Sequence, residues 1–409
     1  MSDYDPERPL ADLRELAELT GGPDGARRVA WTEEWEKARG WLQGKLDELP
    51  VSVERDAAGN VWATLPGETE TVLVVGSHVD SVPQGGWLDG ALGICGALEV
   101  LRTHADAKPP VTLRLVDWAD EEGARFGRSL FGSSSVAGTL VPDDVRGLED
   151  AEGTALPDAL AACGIELDKV GEAQGGLDGV GAYLELHIEQ GPTLEEMGLP
   201  AGAVIGCYGV ERHAVAFSGR AQHAGSTPMH LRRDAFLAAA RFALRCREGA
   251  KEHGGVATIG HVDADPGVPT IINGACEVTL DQRAFEPEAL AAMLADAQAA
   301  ADEVAAEEGV EVRWRRIWQI DPTPFHDELV DLAERAVEEV AGKAHRLPSG
   351  ALHDAAEAAR LVPTVMVFSS STDGVSHNKT EDTPEEDLRV ALTAYGRLAE
   401  MTMEWLRAN

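Results

Sequence analysis

The residues best suited to chemistry in this 409-residue chain are histidines and carboxylates that stand where apolar runs end. Gly76-Ser77-His78-Val79-Asp80 closes the run TVLVVGS, and Gly85-Gly86-Trp87-Leu88-Asp89-Gly90 follows at the mouth of a helix. Side chains two apart on an extended segment point to the same side, so Asp80 is placed to orient the His78 imidazole. Asp89 is of the type that bridges two ions. Asp120-Glu121-Glu122 ends the run VTLRLVDWA. Adjacent carboxylates repel, which is tolerable where one binds a cation and another shares a proton with bound water, so metal ligand and general base are their natural roles. His187 ends the strand-like YLEL, and His377 follows PTVMVF. Taken singly, each histidine also reads as a hydrogen-bonded structural residue, the aspartates as turn or cap residues, and the acidic triplet as a solvated loop. The coincidence of four strand ends, each delivering His, Asp or Glu, points to a metal centre. Imidazole and carboxylate donors without thiolate suit zinc, manganese, cobalt or nickel.

Such a centre needs a sheet to hold it. From about residue 60, short β-rich runs (VWATL, TVLVVGS, VTLRLVDWA) alternate with helical ones such as ALGICGALEVLRTHA, the rhythm of an α/β sheet with helices on its faces. Sites of such sheets lie at the carboxyl ends of the strands. A second alternating block begins near Arg212 with HAVAFSG, continues through RRDAFLAAARFALRCREGA, VATIGHVDA, ACEVTLDQR and PEALAAMLADAQAAADEVAAE, and ends with VEVRWRRIW. The breaker run Asp321-Pro322-Thr323-Pro324 follows, after which helix, strand and a closing helix resume. The middle block therefore reads as an insertion over 209–322 within a catalytic domain formed by 1–208 and 323–409.

A chain of this length is expected to form two domains. Its formal charge of −36 excludes nucleic acid and anionic membrane as partners, since both require a basic surface, and leaves a small molecule. The acidic surface reads as solvation and colloidal repulsion, with salt adaptation as the alternative. No run approaches the ~20 apolar residues of a membrane span, and the acidic N-terminus lacks the form of a signal peptide, so the cytoplasm is expected. The five cysteines stand apart without a CxxC pair, which fits buried reduced thiols.

Together, SHVDSVPQGGWLDGALG, DEEGARFGRSLFGSSSVAGTL, ELHIEQGPTLE, GRAQHAGSTPM and GVSHNKTED resemble the M20 peptidase-like amidohydrolases, in the branch of N-carbamoyl-L-amino acid hydrolase, allantoate amidohydrolase and β-ureidopropionase. The resemblance implies a mixed-sheet catalytic domain holding two divalent ions per subunit, with an inserted α+β lid domain that makes a homodimer. It implies His78, Asp89, Glu122, His187 and His377 as ligands, with Asp89 bridging, and Glu121 as the general base. His78 and His377 each belong to one metal position or the other. His223 is implied to reach the partner's active site and stabilise an oxyanion. Arg283 would clamp a substrate carboxylate, with Gln190, Asn273 and Gly350 as further substrate contacts. Read without the resemblance, His223 is a residue of a Gly-rich turn and Arg283 a charge at a strand end. The segment Ser349-Gly350-Ala351-Leu352-His353-Asp354-Ala355 departs from the family's SGAGHDA by Leu352 in place of glycine, which would narrow the pocket. Gly209-Val210-Glu211-Arg212-His213 lacks the Gln-Arg-Arg of allantoate enzymes. The implied activity is hydrolysis of a carboxylate-bearing N-carbamoyl-L-amino acid, with allantoate or N-carbamoyl-β-alanine as alternatives. A binding protein that has lost turnover is the reading from another class. It is opposed by the filled ligand positions and Glu121.

Overall fold

The computed structural model describes residues 4–408. Two compact units result: one runs up to Gly206 and resumes at Pro324, and the other is Cys207–Thr323, beside the expected insertion of 209–322.

The first unit is built on a nine-stranded mixed sheet. Four parallel strands form its centre, in the order Thr112–Trp118, Val72–His78, Val180–Ile188, Thr364–Ser369. Parallel strands covered on both faces read as continuous apolar runs, and VLVVGSH and TVMVFS are buried along nearly their whole length. Antiparallel strands extend the sheet on both sides: Val61–Leu65 and Ser52–Arg55 beyond Thr112–Trp118, and Ala201–Cys207 beyond Thr364–Ser369. Helix Ala91–His104 lies against the central strands and buries its first eleven residues on every side. The helices Asp327–Ala341 and Glu385–Ala408 pack on Thr364–Ser369 and on each other. The former buries Leu329, Val330, Ala333, Ala336 and Val337, the spacing of a single helical stripe. The N-terminal helices Glu7–Thr20 and Glu33–Leu46 and the short helices between residues 131 and 197 add to the runs read from the sequence.

The second unit is a four-stranded antiparallel sheet in the order Glu311–Ile320, Gly209–Ser218, Ala275–Ala284, Val256–Asp265, with helices Ala235–Glu252 and Pro287–Glu308 packed together on it. Val215, Phe217, Val278 and Leu280 from the sheet meet Ala238, Phe242, Ala297, Ala301 and Val304 from the helices in its core. Strand Ala275–Ala284 buries alternate residues on one face, as an antiparallel sheet with one covered side requires. Among the described residues no helix is long and apolar enough to cross a membrane.

Candidate metal centre

Because the four central strands are parallel, their carboxyl ends lie along one edge of the sheet, and each of the sequence-predicted ligands of the first unit enters from that edge. His78 is the last residue of its strand, opposite Trp118 of the neighbouring one, so Asp120-Glu121-Glu122 begins two residues beyond the same level. His187 stands beside Phe368, and the chain leaving that strand curls back as far as His377. Asp120, Gln190 and His377 all adopt left-handed backbone (φ 55°, 58° and 54°). Such conformations cost about 1–2 kcal/mol each in residues with a Cβ and persist where surrounding bonds hold them.

Two donor groups form, in each of which the ligand atoms lie within 4.8 Å of one another: His78, Asp89, His187 and Asp89, Glu122, His377. Asp89 belongs to both. Its Oδ1 lies 3.1 Å from His187 Nε2 and 3.6 Å from His78 Nε2, and its Oδ2 lies 3.4 Å from His377 Nε2. His377 Nε2 is also 3.3 Å from Glu122 Oε2. The sequence left open which histidine accompanies which; the structure groups His78 with His187 and His377 with Glu122. Glu121 Oε2 sits 3.9 Å from His78 Nε2.

A surrounding layer of bonds aims these donors. His187 Nδ1 donates to the Ile188 carbonyl at 2.9 Å, and His78 Nδ1 faces the carbonyl and carboxylate of Asp80 at 3.2 and 3.4 Å. Both rings thereby turn Nε2 towards Asp89. The Asp80 carboxylate also accepts the backbone N–H groups of Glu121 and Glu122, each at 3.2 Å, so one side chain orients a histidine and the acidic turn together. Val79 N–H donates to Asp117, which pairs with buried Arg39 at 2.8 Å. Asp120 accepts from Trp31 Nε1 at 2.7 Å and from Gly123 N–H. It therefore shapes the turn, while Glu121 and Glu122 face the centre. Gln190 Nε2 donates to Asp89 Oδ2 at 2.9 Å and to Ser376 Oγ at 3.0 Å. At Gly90 a Cβ would stand 2.4 Å from the His78 ring, so only glycine lets the helix start this close.

The donors fit a divalent cation. His78 Nε2 and Glu122 Oε1 are buried without a hydrogen-bond partner, although both belong to groups with strong demand for one. Burial, and then neighbouring carboxylates, push the Glu121 and Glu122 carboxyls well above their usual range. Burial opposes protonation of His78, yet Glu121, Asp80 and Asp89 override it and hold that imidazole well above its ordinary value. Asp89 is held below its usual range, despite burial, by His187, His78 and His377. These directions describe a nest of negative charge that calls for positive charge at its centre. A third grouping, Glu185, His187 and His353, is already satisfied. Glu185 accepts from Ser77 at 2.8 Å and Tyr183 at 3.0 Å, and His353 bonds Ser349 at 2.9 Å while its ring stacks edge-on against His187. This cluster buttresses His187.

Gly350 lies exposed just past the strand Arg346–Ser349, and Leu352 is half-buried two residues on. The remaining predicted residues belong to the second unit. His223, exposed on the short strand Gln222–His223, accepts at Nδ1 from the N–H groups of Gly225 and Ser226 (3.1 and 3.2 Å). Its proton therefore sits on Nε2, the tautomer that can donate outward. Asn273 Oδ1 accepts from Gly267 N–H, and Arg283 Nε donates to Asp281 at 2.9 Å. Arg212, on the adjacent strand, donates to the same carboxylate. Sequence reasoning missed Glu381, Ser376, Asp117, Arg39 and Trp31. Glu381 and Ser376 do lie in the quoted run GVSHNKTED, four residues after and one before His377.

The chain is similar to known proteins over most of its length. The sequence profile of Peptidase family M20/M25/M40 matches residues 74–401. An N-carbamoyl-L-amino acid amidohydrolase of Geobacillus stearothermophilus is 37% identical, over 94% of this chain and 95% of its own. Allantoate amidohydrolase of Escherichia coli (strain K12) is 34% identical, over 89% of this chain and 90% of its own. Among solved structures, an amidase of the hydantoinase/carbamoylase family from Burkholderia multivorans superposes with a TM-score of 0.89 at 31% identity, covering 97% of this chain and 98% of that one.

Proposed function

The chain belongs to peptidase family M20/M25/M40 and is a hydrolase of amide C–N bonds, and from that premise we propose that it releases amino acid, ammonia and carbon dioxide from N-carbamoyl-L-amino acids. The observation that carries the reading is Asp89, whose two oxygens serve two donor groups beside the buried carboxyl of Glu121. The relative named above for this activity supports the substrate class, and the allantoate enzyme at 34% identity supports the second reading.

We propose two divalent ions per subunit, of zinc, manganese, cobalt or nickel, held by His78, Asp89 and His187 and by Asp89, Glu122 and His377. Such ions, when bound, lower the pKa of water and polarise the scissile carbonyl. Glu121 takes a proton from the attacking water on its carboxylate and delivers it to the leaving nitrogen. Asp80 holds Glu121 and His78 in register for that transfer. Nε2–H of His223 donates to the oxyanion in the active site of a partner copy of the chain, and Arg283 grips the substrate carboxylate bidentately, with Asn273, Gln190 and Gly350 as further contacts. A second copy of the chain docks through the second unit, a reading supported by Phe236, Leu237 and Leu244, which stand exposed on helix Ala235–Glu252. We place the protein in the cytoplasm, where buried cysteines such as Cys95 and Cys246 stay reduced.

The test is release of ammonia from N-carbamoyl-L-methionine, its D-enantiomer, allantoate and N-carbamoyl-β-alanine, with acetate followed from an N-acetyl amino acid. Turnover confined to carbamoyl-L-amino acids is expected. Preference for allantoate would replace the substrate and keep the site.

A further inference from the structure

Outside the residues assigned above, the densest set of unexplained polar contacts centres on Glu381. Its side chain is 2% exposed, at the foot of the turn that follows His377. One oxygen, Oε1, accepts the backbone N–H groups of Leu88 (3.2 Å) and Asp89 (3.1 Å). The other, Oε2, accepts from Ser376 Oγ at 3.0 Å. Ser376 Oγ in turn lies 3.2 Å from Asp89 Oδ2 and 3.0 Å from Gln190 Nε2. Glu381 N–H closes the turn on the Asn378 carbonyl at 2.9 Å. A Cβ at Gly86 would stand 2.1 Å from Glu381 Oε1, so the chain passes this carboxylate at a distance only glycine permits.

We propose that Glu381 is a positioning residue that sets the shared carboxylate Asp89 and ties it to the loop of His377. The need is geometric. Asp89 serves both donor groups only if Oδ1 faces His78 and His187 while Oδ2 faces His377, and a carboxylate free to rotate about its last bond would satisfy one group at the expense of the other. Glu381 fixes the backbone at Leu88 and Asp89 from one oxygen. From the other it holds Ser376, whose Oγ accepts from Gln190 Nε2, and the same Nε2 donates to Asp89 Oδ2 and so fixes its level. The segment 85–89 and the loop 374–381, almost 300 residues apart in sequence, thereby move as one body. Partners of ligands at this remove commonly carry a factor of about 10 to 100 in metal affinity.

The proposal rests on the two-ion reading, and cobalt binding separates the two. Chelated wild type, Glu381→Ala, Gly86→Ala and Glu381→Gln are titrated with Co²⁺ by calorimetry and visible absorption, with unfolding of each metal-free variant followed in parallel. Wild type is expected to take two equivalents. Glu381→Ala, which removes the carboxylate, and Gly86→Ala, which displaces it, are each expected to bind about 10- to 100-fold more weakly with altered d–d bands. Glu381→Gln keeps an oxygen for both amides and a donor for Ser376, and is expected to restore the wild-type spectrum and stoichiometry. Wild-type affinity and spectrum in Gly86→Ala or in a folded Glu381→Ala would overturn the role of Glu381. Failure of wild type itself to bind Co²⁺ would overturn the two-ion reading beneath it.

Discussion

Asp80 supplies two acceptor oxygens to two backbone donors, and Asn at that position supplies one. In Asp80→Asn, either Glu121 N–H or Glu122 N–H, each now 3.2 Å from a carboxylate oxygen, must face an amide group that cannot accept. A buried donor stripped of its partner costs about 1–3 kcal/mol, and the turn relieves that cost by rotating Glu121 or Glu122 out of place. If the productive arrangement carries the penalty, kcat/KM falls by about 5- to 150-fold, since about 1.4 kcal/mol is tenfold. The same substitution removes a charge that, after burial, helps push the carboxyls of Asp120, Glu121 and Glu122 upward, so it relieves repulsion in the folded state. Activity and stability are therefore expected to part company: ammonia release drops while the melting temperature of the chelated protein does not. Steady-state kinetics on metal-loaded protein and a melt of the chelated protein read the two quantities. A kcat/KM within about twofold of wild type would refute the reasoning that Asp80 orients the acidic turn.

Chelated protein is expected to lose stability as pH rises from 5.5 to 8. Asp120 is pushed up to about 8 by burial and Asp80, and Glu381 to about 7 by burial and Asp89, whereas unfolded carboxyls titrate near 4. In that window the folded state binds the extra protons, so the unfolding free energy falls with pH, and denaturant midpoints at the two pH values measure it; a flat or rising profile would contradict the burial of these groups. Arg283→Ala is expected to raise KM by about 10- to 100-fold for a carboxylate substrate, the worth of charged hydrogen bonds, and Arg283→Lys to restore little because it lacks the planar fork. His223→Ala is expected to lower kcat by about 10²- to 10³-fold with an unchanged melting temperature, because the ring is exposed and bonds only its own loop.

Of the proposed ligands, His78, Glu122, His187 and His377 were legible in the sequence because each stands at or just past the end of an apolar run, and a parallel sheet collects such ends along one edge. Their grouping was not, since the pairing of His78 with His187 and of His377 with Glu122 follows from strand order and loop paths that no local pattern encodes. The supporting bonds were hidden for the same reason: Glu381 reaches Asp89 across 292 residues, and Trp31 reaches Asp120 across 89. Asp120 reads as an equal member of an acidic triplet until its left-handed backbone turns it towards Trp31. In the second unit VATIGHVDA and ACEVTLDQR were legible as strands, and they form Val256–Asp265 and Ala275–Ala284. The tautomer of His223 depended on two amides of its own turn. Helix Glu33–Leu46 was passed over because its tryptophans and charges interleave without a clean apolar stripe.

The central claim is that amide hydrolysis here depends on ions held through Asp89. Its most direct test is ammonia release from N-carbamoyl-L-methionine by chelated protein as Mn²⁺ or Co²⁺ is added in measured equivalents. Activity is expected to be absent without metal and to level off at two equivalents per chain, whereas full turnover by the stripped protein would contradict the account.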